Sequence, residues 1–595
     1  MNRAINILAA PFLLALIVLA TSWSLLHPQL FRAHDYIHAA RVAEMARGIV
    51  EGQAPVRWSG NFGYGYGMPL FEFYSPLPYY LGALLWLIAI PIDIVVKLLF
   101  FIPSLITVIA AYKLGKVWFP TLTAVLVAAA IALAPYRAVN LFVRGAVAEA
   151  WGMAFLVVSL LGVSYVVKRS KYGSWVLLGG LVGMVLSHNL TTMIAVPALV
   201  IWGVVSLVAE ALPIEKSSFW KNLWQTFVKI LPSLLGVGSI SIGLTTFYWL
   251  PALTENHFTQ LDSRILTGYF DFHNHFLYLR QFFIPFWGYG GSNWGPIDGL
   301  SFFLGFGMLL GFALTTVTLC AYFVRSFIIM RYKTDRMLLS VFLGAGAIML
   351  YAAILSLQRS LPIWELVPVL HVLQFPWRFL SILTTIGGVF SVLWIGVLPK
   401  RRYLRITVAL LYFALLLSNL RYFQPEQYLE NSADLYYTDS SLIQNSMSET
   451  LPDYIPTAMN LTSPPTTLAS CVPATCQVST VLQNTSVQKL VEVTADQATQ
   501  LTVSTAFYPG WKITIDDVAQ EIVVSDTGLI SVPLAQGTHS VRWYFDSTPT
   551  RKIADRISLL SLGIVAIVLA NEFSKARLKK KVNGLRTETP YLPFD

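Results

Sequence analysis

Runs of about twenty apolar residues recur from Ile5 to Leu420 of this chain, and another covers roughly 557–571. Each is long enough to cross a bilayer as a helix, and in lipid a spanning helix satisfies its own backbone polar groups. The chain is therefore read as a polytopic α-helical membrane protein, and a soluble fold is excluded. Basic clusters sit between the runs or just after one: Lys113/Lys116, Lys168/Arg169/Lys171, Lys216/Lys221/Lys229, Arg325/Arg331/Lys333/Arg336, Lys400/Arg401/Arg402/Arg405 and the stretch from Lys575 to Lys581. A positive-inside bias accounts for the net charge of +10 without a nucleic-acid partner.

Placing those clusters in the cytoplasm gives about twelve crossings of the cell membrane, near 5–26, 93–118, 121–140, 150–168, 173–188, 191–211, 230–253, 300–324, 337–357, 378–398, 404–420 and 555–573, with both ends inside. The first is read as a retained signal anchor. The stretch "LPYYLGALLWLIAIP" (77–91) is set apart. As a full crossing it would invert everything after it, whereas Tyr79, Tyr80 and Trp86 suit a short helix at the outer interface.

The outer side then receives a first loop (about 27–92), a short turn around Arg144 and Glu149, longer loops at about 254–299 and 358–378, and a separate region at 421–554. In that last region Ser, Thr, Asn, Gln and Val replace the Leu/Phe/Trp-rich runs. "LVEVTADQATQLTVSTAFYPGWKITIDD" and "LISVPLAQGTHSVRWYF" alternate apolar and polar residues between Gly and Asp turns, which predicts an extracytoplasmic all-β sandwich. A membrane part (1–420), this β domain, a final crossing (555–573) and a basic cytoplasmic tail (574–595) make up the expected organisation. Cys471 and Cys476 are expected to pair as a disulfide in an oxidising compartment, two free thiols being the alternative. Cys320 lies in an apolar run and is expected to be inert.

Chemistry concentrates on the outer loops. In "RAHDYIHAARV", a helix from Asp35 onward places Asp35 and His38 on one face; an Asp at a helix start is more often a cap, and the company of His34 and His38 is what points to chemistry. "RWSGNFGYGYGMPLFEFYSP" follows, with Tyr64 and Tyr66 between glycines, readable as aromatic platforms for a sugar or as an interfacial girdle. Arg144 and Glu149 either solvate a helix end or act on a substrate. His188 and Asn189 interrupt two apolar runs, where polar groups are costly unless paired or functional. Glu255 and His257 end another run. Asp262, Arg264 and the "DFHNH" of 271–275 follow on the long third loop, a weak metal signal. The outer regions of the membrane part carry Arg32, Arg41, Arg47, Arg57, Arg137, Arg144, Arg264, Arg280, Arg359 and Arg378, and no lysine. Topology disfavours both residues outside, so it does not explain the choice. Guanidinium grips phosphate with two parallel hydrogen bonds, which points to phosphate recognition by Arg378 and Arg144, with headgroup anchoring as the alternative. P-loop, GxSxG and HExxH motifs are absent from the sequence.

"HDYIHAARV", "RWSGNFGYGYGMPLFEFYSPLPYYLGALL", "HNLTT", "FYWLPALTE" and "LQFPWRFLSI" resemble a family of bacterial multi-pass proteins labelled 6-pyruvoyl-tetrahydropterin-synthase-related membrane domain. Its architecture is similar to the GT-C superfamily of membrane glycosyltransferases. The resemblance covers about 1–420. It implies a polyprenyl-phosphate-linked sugar as donor, a glycan, lipid or protein acceptor, and inversion at the sugar. Asp35 matches the first-loop acid of that superfamily and Glu149 its second-loop acid, which makes both candidate catalytic residues. His34 stands where a second acid is usual. Asp35 and His38 are candidate ligands for a divalent metal, Mg or Mn. Arg378, Arg144, His38, His188, Tyr64, Tyr66 and Glu255 are candidate substrate-binding residues. The alternative is a non-catalytic polyprenyl-phosphate or glycolipid-binding protein, or a transporter.

Overall fold

The structure, a computed structural model, describes residues 2–211, 219–261, 263, 267–329, 336–398, 401–429 and 438–587. Lys216, Asp262, Arg264, Arg331, Lys333 and Lys400 therefore lie outside the described residues.

Every run read as a crossing is helical. Among the described residues ten helices are long and apolar enough to span a bilayer, including Ile92–Trp118, Val147–Val167, Asn189–Ala211 and Phe219–Thr254. Two of the twelve expected crossings differ. Gly173–Ser187 has 15 residues, about 22 Å of helix against an apolar layer of about 30 Å. The crossing read at 121–140 is two segments, Thr121–Ala132 and Pro135–Val143, bent by 47°. Pro135 causes the break: the residue before a proline is pushed out of the helical region, and Ala134 is extended (φ −61°, ψ 130°). The second segment ends as a π-helix, Val139–Val143, which turns Asn140 and Arg144 toward the start of the next helix.

The stretch 77–91 is a helix, Pro76–Leu87, of 12 residues, too short to cross. Small residues let the membrane helices approach closely. A Cβ on Gly180 would stand 2.6 Å from the Ser159 hydroxyl, so Gly173–Ser187 rests almost backbone to backbone on Val147–Val167.

Among the described residues the first strand begins at Ala469. β1 (Ala469–Val472), β4 (Thr499–Ala506), β8 (Leu529–Leu534) and β7 (Val523–Val524) form one antiparallel sheet in the order β1-β4-β8-β7. β2 (Cys476–Asn484), β3 (Gln488–Ala495), β9 (Gly537–Phe545), β5 (Trp511–Ile515) and β6 (Val518–Gln520) form the other, ordered β2-β3-β9-β5-β6. The alternation seen in the sequence is the sandwich's inside–outside pattern: Val491, Val493, Ile513, Val541 and Trp543 are buried between the sheets. Cys471 and Cys476 form a disulfide where β1 passes to β2, from one sheet to the other.

This sandwich is seated on the first loop. The Ala506 amide donates to the Tyr66 carbonyl (2.9 Å), and Trp58 meets Trp511 edge-on (5.3 Å, 80°). Beneath them Arg551, at the start of the closing helix Pro549–Thr587, bridges two carboxylates, Glu72 of the first loop (3.0 Å) and Glu255 after Phe219–Thr254 (2.5 Å). The Tyr508 hydroxyl donates to Glu72 (2.9 Å).

Candidate active site

The helix that follows Asp35 starts at His38, with Ile37 in the capping position and no side-chain cap bond. Asp35 is therefore neither in the helix nor its cap. Its backbone instead runs beside the Arg144 turn: the His34 amide donates to the Val143 carbonyl (3.0 Å) and the Asp35 amide to the Arg144 carbonyl (2.9 Å). Gly145, at φ +64°, makes this possible, because a Cβ there would stand 2.4 Å from the Asp35 carbonyl oxygen.

The two pieces so joined open onto one cavity of about 770 Å³. Asp35, Arg144, Glu149, His188 and Arg378 all line it, although they come from four separate stretches of the sequence. Arg41, not singled out from the other outer arginines beforehand, lines it too and is buried.

On one side Arg41 donates to the Asp35 carboxylate (2.7 Å) and stacks over the Tyr74 ring (4.2 Å), while the Tyr74 hydroxyl donates to the same carboxylate oxygen at 3.4 Å. Burial disfavours the Asp35 anion, but the Arg41 and His38 charges and these hydrogen bonds outweigh it and hold the carboxyl below its usual range. Asp35 is thus a fixed anion at neutral pH.

On the other side Glu149 is buried with both oxygens engaged. Tyr136 (2.6 Å) and Asn140 (3.2 Å) donate to one oxygen; Arg144 donates to the other (2.6 Å), with Arg378 Nε 3.9 Å away. Glu149 is a shared counter-ion, accepting two hydrogen bonds on one oxygen and one on the other. Arg144 lies over the Trp377 ring (4.5 Å) and Arg378 over Phe375 (5.0 Å). Arg378 is held by a turn that the sequence did not reveal. Gln374 adopts φ 60° and ψ −45°, uncommon for a residue with a side chain, and the Leu373 carbonyl accepts from both the Phe375 amide (2.5 Å) and Arg378 (2.7 Å). His188 Nδ1 accepts from the Thr191 amide (3.1 Å), which leaves Nε2 as the N–H donor of a neutral ring.

Other expected site residues lie elsewhere. His38 does not line the cavity: Nε2 donates to the Gly145 carbonyl (2.7 Å) and Nδ1 faces the Tyr79 hydroxyl (3.0 Å), so it buttresses the loop. Tyr64 and Tyr66 are buried in the seat of the β domain, because their glycine-rich loop packs against Gln444 and Pro465, and they offer no open ring face to a sugar. Glu255 is committed to Arg551 and to the Thr548 hydroxyl (2.7 Å). Asp271 and His273 pair at the surface (2.6 Å), and His275 is buried against Ser292 and Tyr269. The stretch before β1, which showed no periodicity, brings Thr450, Leu451, Asp453 and Tyr454 over the cavity, with Tyr454 stacked on Phe73 (5.7 Å, 6°).

These residues do not fit a resident divalent cation. Asp35 faces a guanidinium, both His38 nitrogens are taken, and Glu149 is paired with Arg144 and faced by Arg378. Among the described residues no group of three or more His, Cys, Asp or Glu is arranged to hold a metal ion.

No family model matches the chain, and no curated protein matches it. Among solved structures it is similar to the archaeal oligosaccharyltransferase AglB from Archaeoglobus fulgidus, in complex with an inhibitory peptide and a dolichol-phosphate, at 12% identity and a TM-score of 0.40 over 72% of this chain and 57% of that one. It is also similar to the arabinofuranosyltransferase AftD from Mycobacteria, at 15% identity and a TM-score of 0.37 over 70% of this chain and 27% of that one. The chain thus spans less than two thirds of either structure's length.

Proposed function

We propose that the chain is an integral membrane glycosyltransferase of the cell membrane that moves a sugar from a polyprenyl-phosphate donor to an extracytoplasmic acceptor, with inversion. The observation that carries this reading is the amphiphilic shape of the cavity. Two guanidiniums converge on one buried carboxylate at its floor, while Leu253 and Val372, 71% and 41% exposed, give it an apolar lip. A ligand matching both has a phosphate head and a hydrocarbon tail.

The acceptor hydroxyl or amide attacks the anomeric carbon from the Asp35 side. The bond from that carbon to the phosphate oxygen breaks, and the oxygen leaves with the electron pair as a polyprenyl phosphate. Arg144 and Arg378 stabilise the charge that grows on it. Asp35 accepts the hydrogen bond of the attacking group and orients it. The released proton ends on the departing phosphate monoester, whose second pKa near ~6 makes it the stronger base. Arg41 keeps Asp35 ionised and aimed. The C-terminal wall around Tyr454 closes the acceptor side.

The test is transfer by the full chain in lipid nanodiscs, given a panel of polyprenyl-phosphoryl sugars and membrane-derived acceptors. Turnover of at least one donor, lost in Asp35→Asn, is expected. Failure of every donor to bind or react would overturn the proposal.

A further inference from the structure

We infer that the phosphate seat of this cavity is matched to a singly charged phosphodiester and works without a divalent cation, its own guanidiniums supplying the charge. The inference rests on the lipid-phosphate reading above and deepens it.

The argument is a charge balance. Arg41, Arg144 and Arg378 bring three positive charges to the cavity wall, and Asp35, Glu149 and Asp453 three negative ones. They are not evenly spread. Arg41 is consumed by Asp35 at 2.7 Å, and Asp453, next to Tyr454 in the stretch before β1, is not the ion-pair partner of Arg144 or Arg378. Among the described residues Arg144 and Arg378 have one carboxylate within ion-pair distance, Glu149, at 2.6 and 3.9 Å. His188, beside them, is neutral, since its Nδ1 accepts from a backbone amide. The floor therefore holds two guanidiniums and one carboxylate, a surplus of one positive charge.

That surplus is buried. Arg378 is 8% exposed, and its Nε has no hydrogen-bond partner among the described residues. An uncompensated charge at such a site favours an anion that cancels it and disfavours one that overshoots. A sugar joined to a lipid by one phosphate carries one negative charge. The same sugar joined by a diphosphate carries two, and its second charge needs a cation that these side chains are not arranged to hold. The aromatic rings behind Arg144 and Arg378 fix the planes of both guanidiniums, so the seat is pre-shaped.

The experiment uses the wild-type full chain in nanodiscs and two probes, decaprenyl methyl phosphate with one charge and decaprenyl methyl diphosphate with two. Binding of each is measured with a chelator and with excess magnesium. Expected is an affinity for the monophosphate that is the same in both conditions, and a weaker affinity for the diphosphate that improves with magnesium. Arg378→Gln should weaken the monophosphate about tenfold or more, and Arg378→Lys less. Because Arg378→Gln could also disturb the turn at Gln374, the wild-type magnesium comparison decides. Monophosphate binding that requires magnesium overturns this inference and leaves the lipid-phosphate reading standing. Absence of binding by both probes in both conditions overturns the two together.

Discussion

Arg144 and Glu149, on either side of Gly145, close a buried ion pair at 2.6 Å that Arg378 approaches to 3.9 Å. Removing the shared carboxylate leaves two guanidiniums facing each other out of water. Glu149→Gln should therefore lower stability by about 3–5 kcal/mol, the usual consequence of orphaning a buried charge. Thermal unfolding of the purified protein in detergent checks this. The double variant Glu149→Gln/Arg144→Gln should recover part of the loss, because it removes one of the stranded charges as well.

Asp35→Asn keeps the shape of the side chain and removes its charge. Transfer should fall by about 10²–10⁴-fold while unfolding temperature and topology stay near wild type. The pH profile supplies a second readout. Arg41 and His38, against the cost of burial, hold Asp35 below the usual carboxylate range. Held below that range, it contributes no acidic limb near neutral pH. An acidic limb near neutral pH that shifts in Asp35→Glu would contradict the assignment.

The ion cluster beneath the β domain predicts a pH-dependent stability. Burial raises Glu72 to about 7, Arg551 opposes this, and the neighbouring Glu255 carboxylate adds to it. The folded state thus holds a proton that the unfolded chain releases near ~4.5. This contribution is fully present below that value and is lost as pH rises through about 7. Glu72→Gln should flatten the fall in unfolding temperature across that window. Arg551→Gln should destabilise throughout, since it leaves two acids without their cation.

The sequence exposed what depends on period and composition. Apolar runs marked the helices, and alternation marked β3, β4, β5 and β9, because lipid and a sandwich core impose simple repeats. Asp35, Glu149, Arg144, Arg378 and His188 were legible as polar interruptions beside those runs, and the fold brings them to one cavity. What stayed hidden depends on long-range seating. Nothing local says that Tyr64 and Tyr66 are covered by a domain nearly four hundred residues away, or that Arg551 claims Glu255. The π-helical turn at Asn140 and the turn at Gln374 leave no compositional mark either; only Pro135 and Pro376 flag that the helices break there.

Gly145 offers the sharpest separation of site geometry from general stability. Its φ of +64° is costly for any residue with a Cβ, and that Cβ would meet the Asp35 carbonyl oxygen at 2.4 Å. Gly145→Ala must therefore both strain the turn and push the Asp35 strand off the Arg144 turn, which separates the orienting carboxylate from the phosphate seat. Gly52 provides the control. It shares the positive φ, at +85°, but an added Cβ there meets nothing within 4 Å. Gly52→Ala should cost only the backbone term, about 1 kcal/mol, and leave transfer intact. Gly145→Ala should lose a larger share of stability and nearly all transfer, while donor-lipid binding through Arg144 and Arg378 falls far less. Equal effects of the two substitutions on transfer would mean that the contact between Asp35 and Gly145 does not set the reacting geometry.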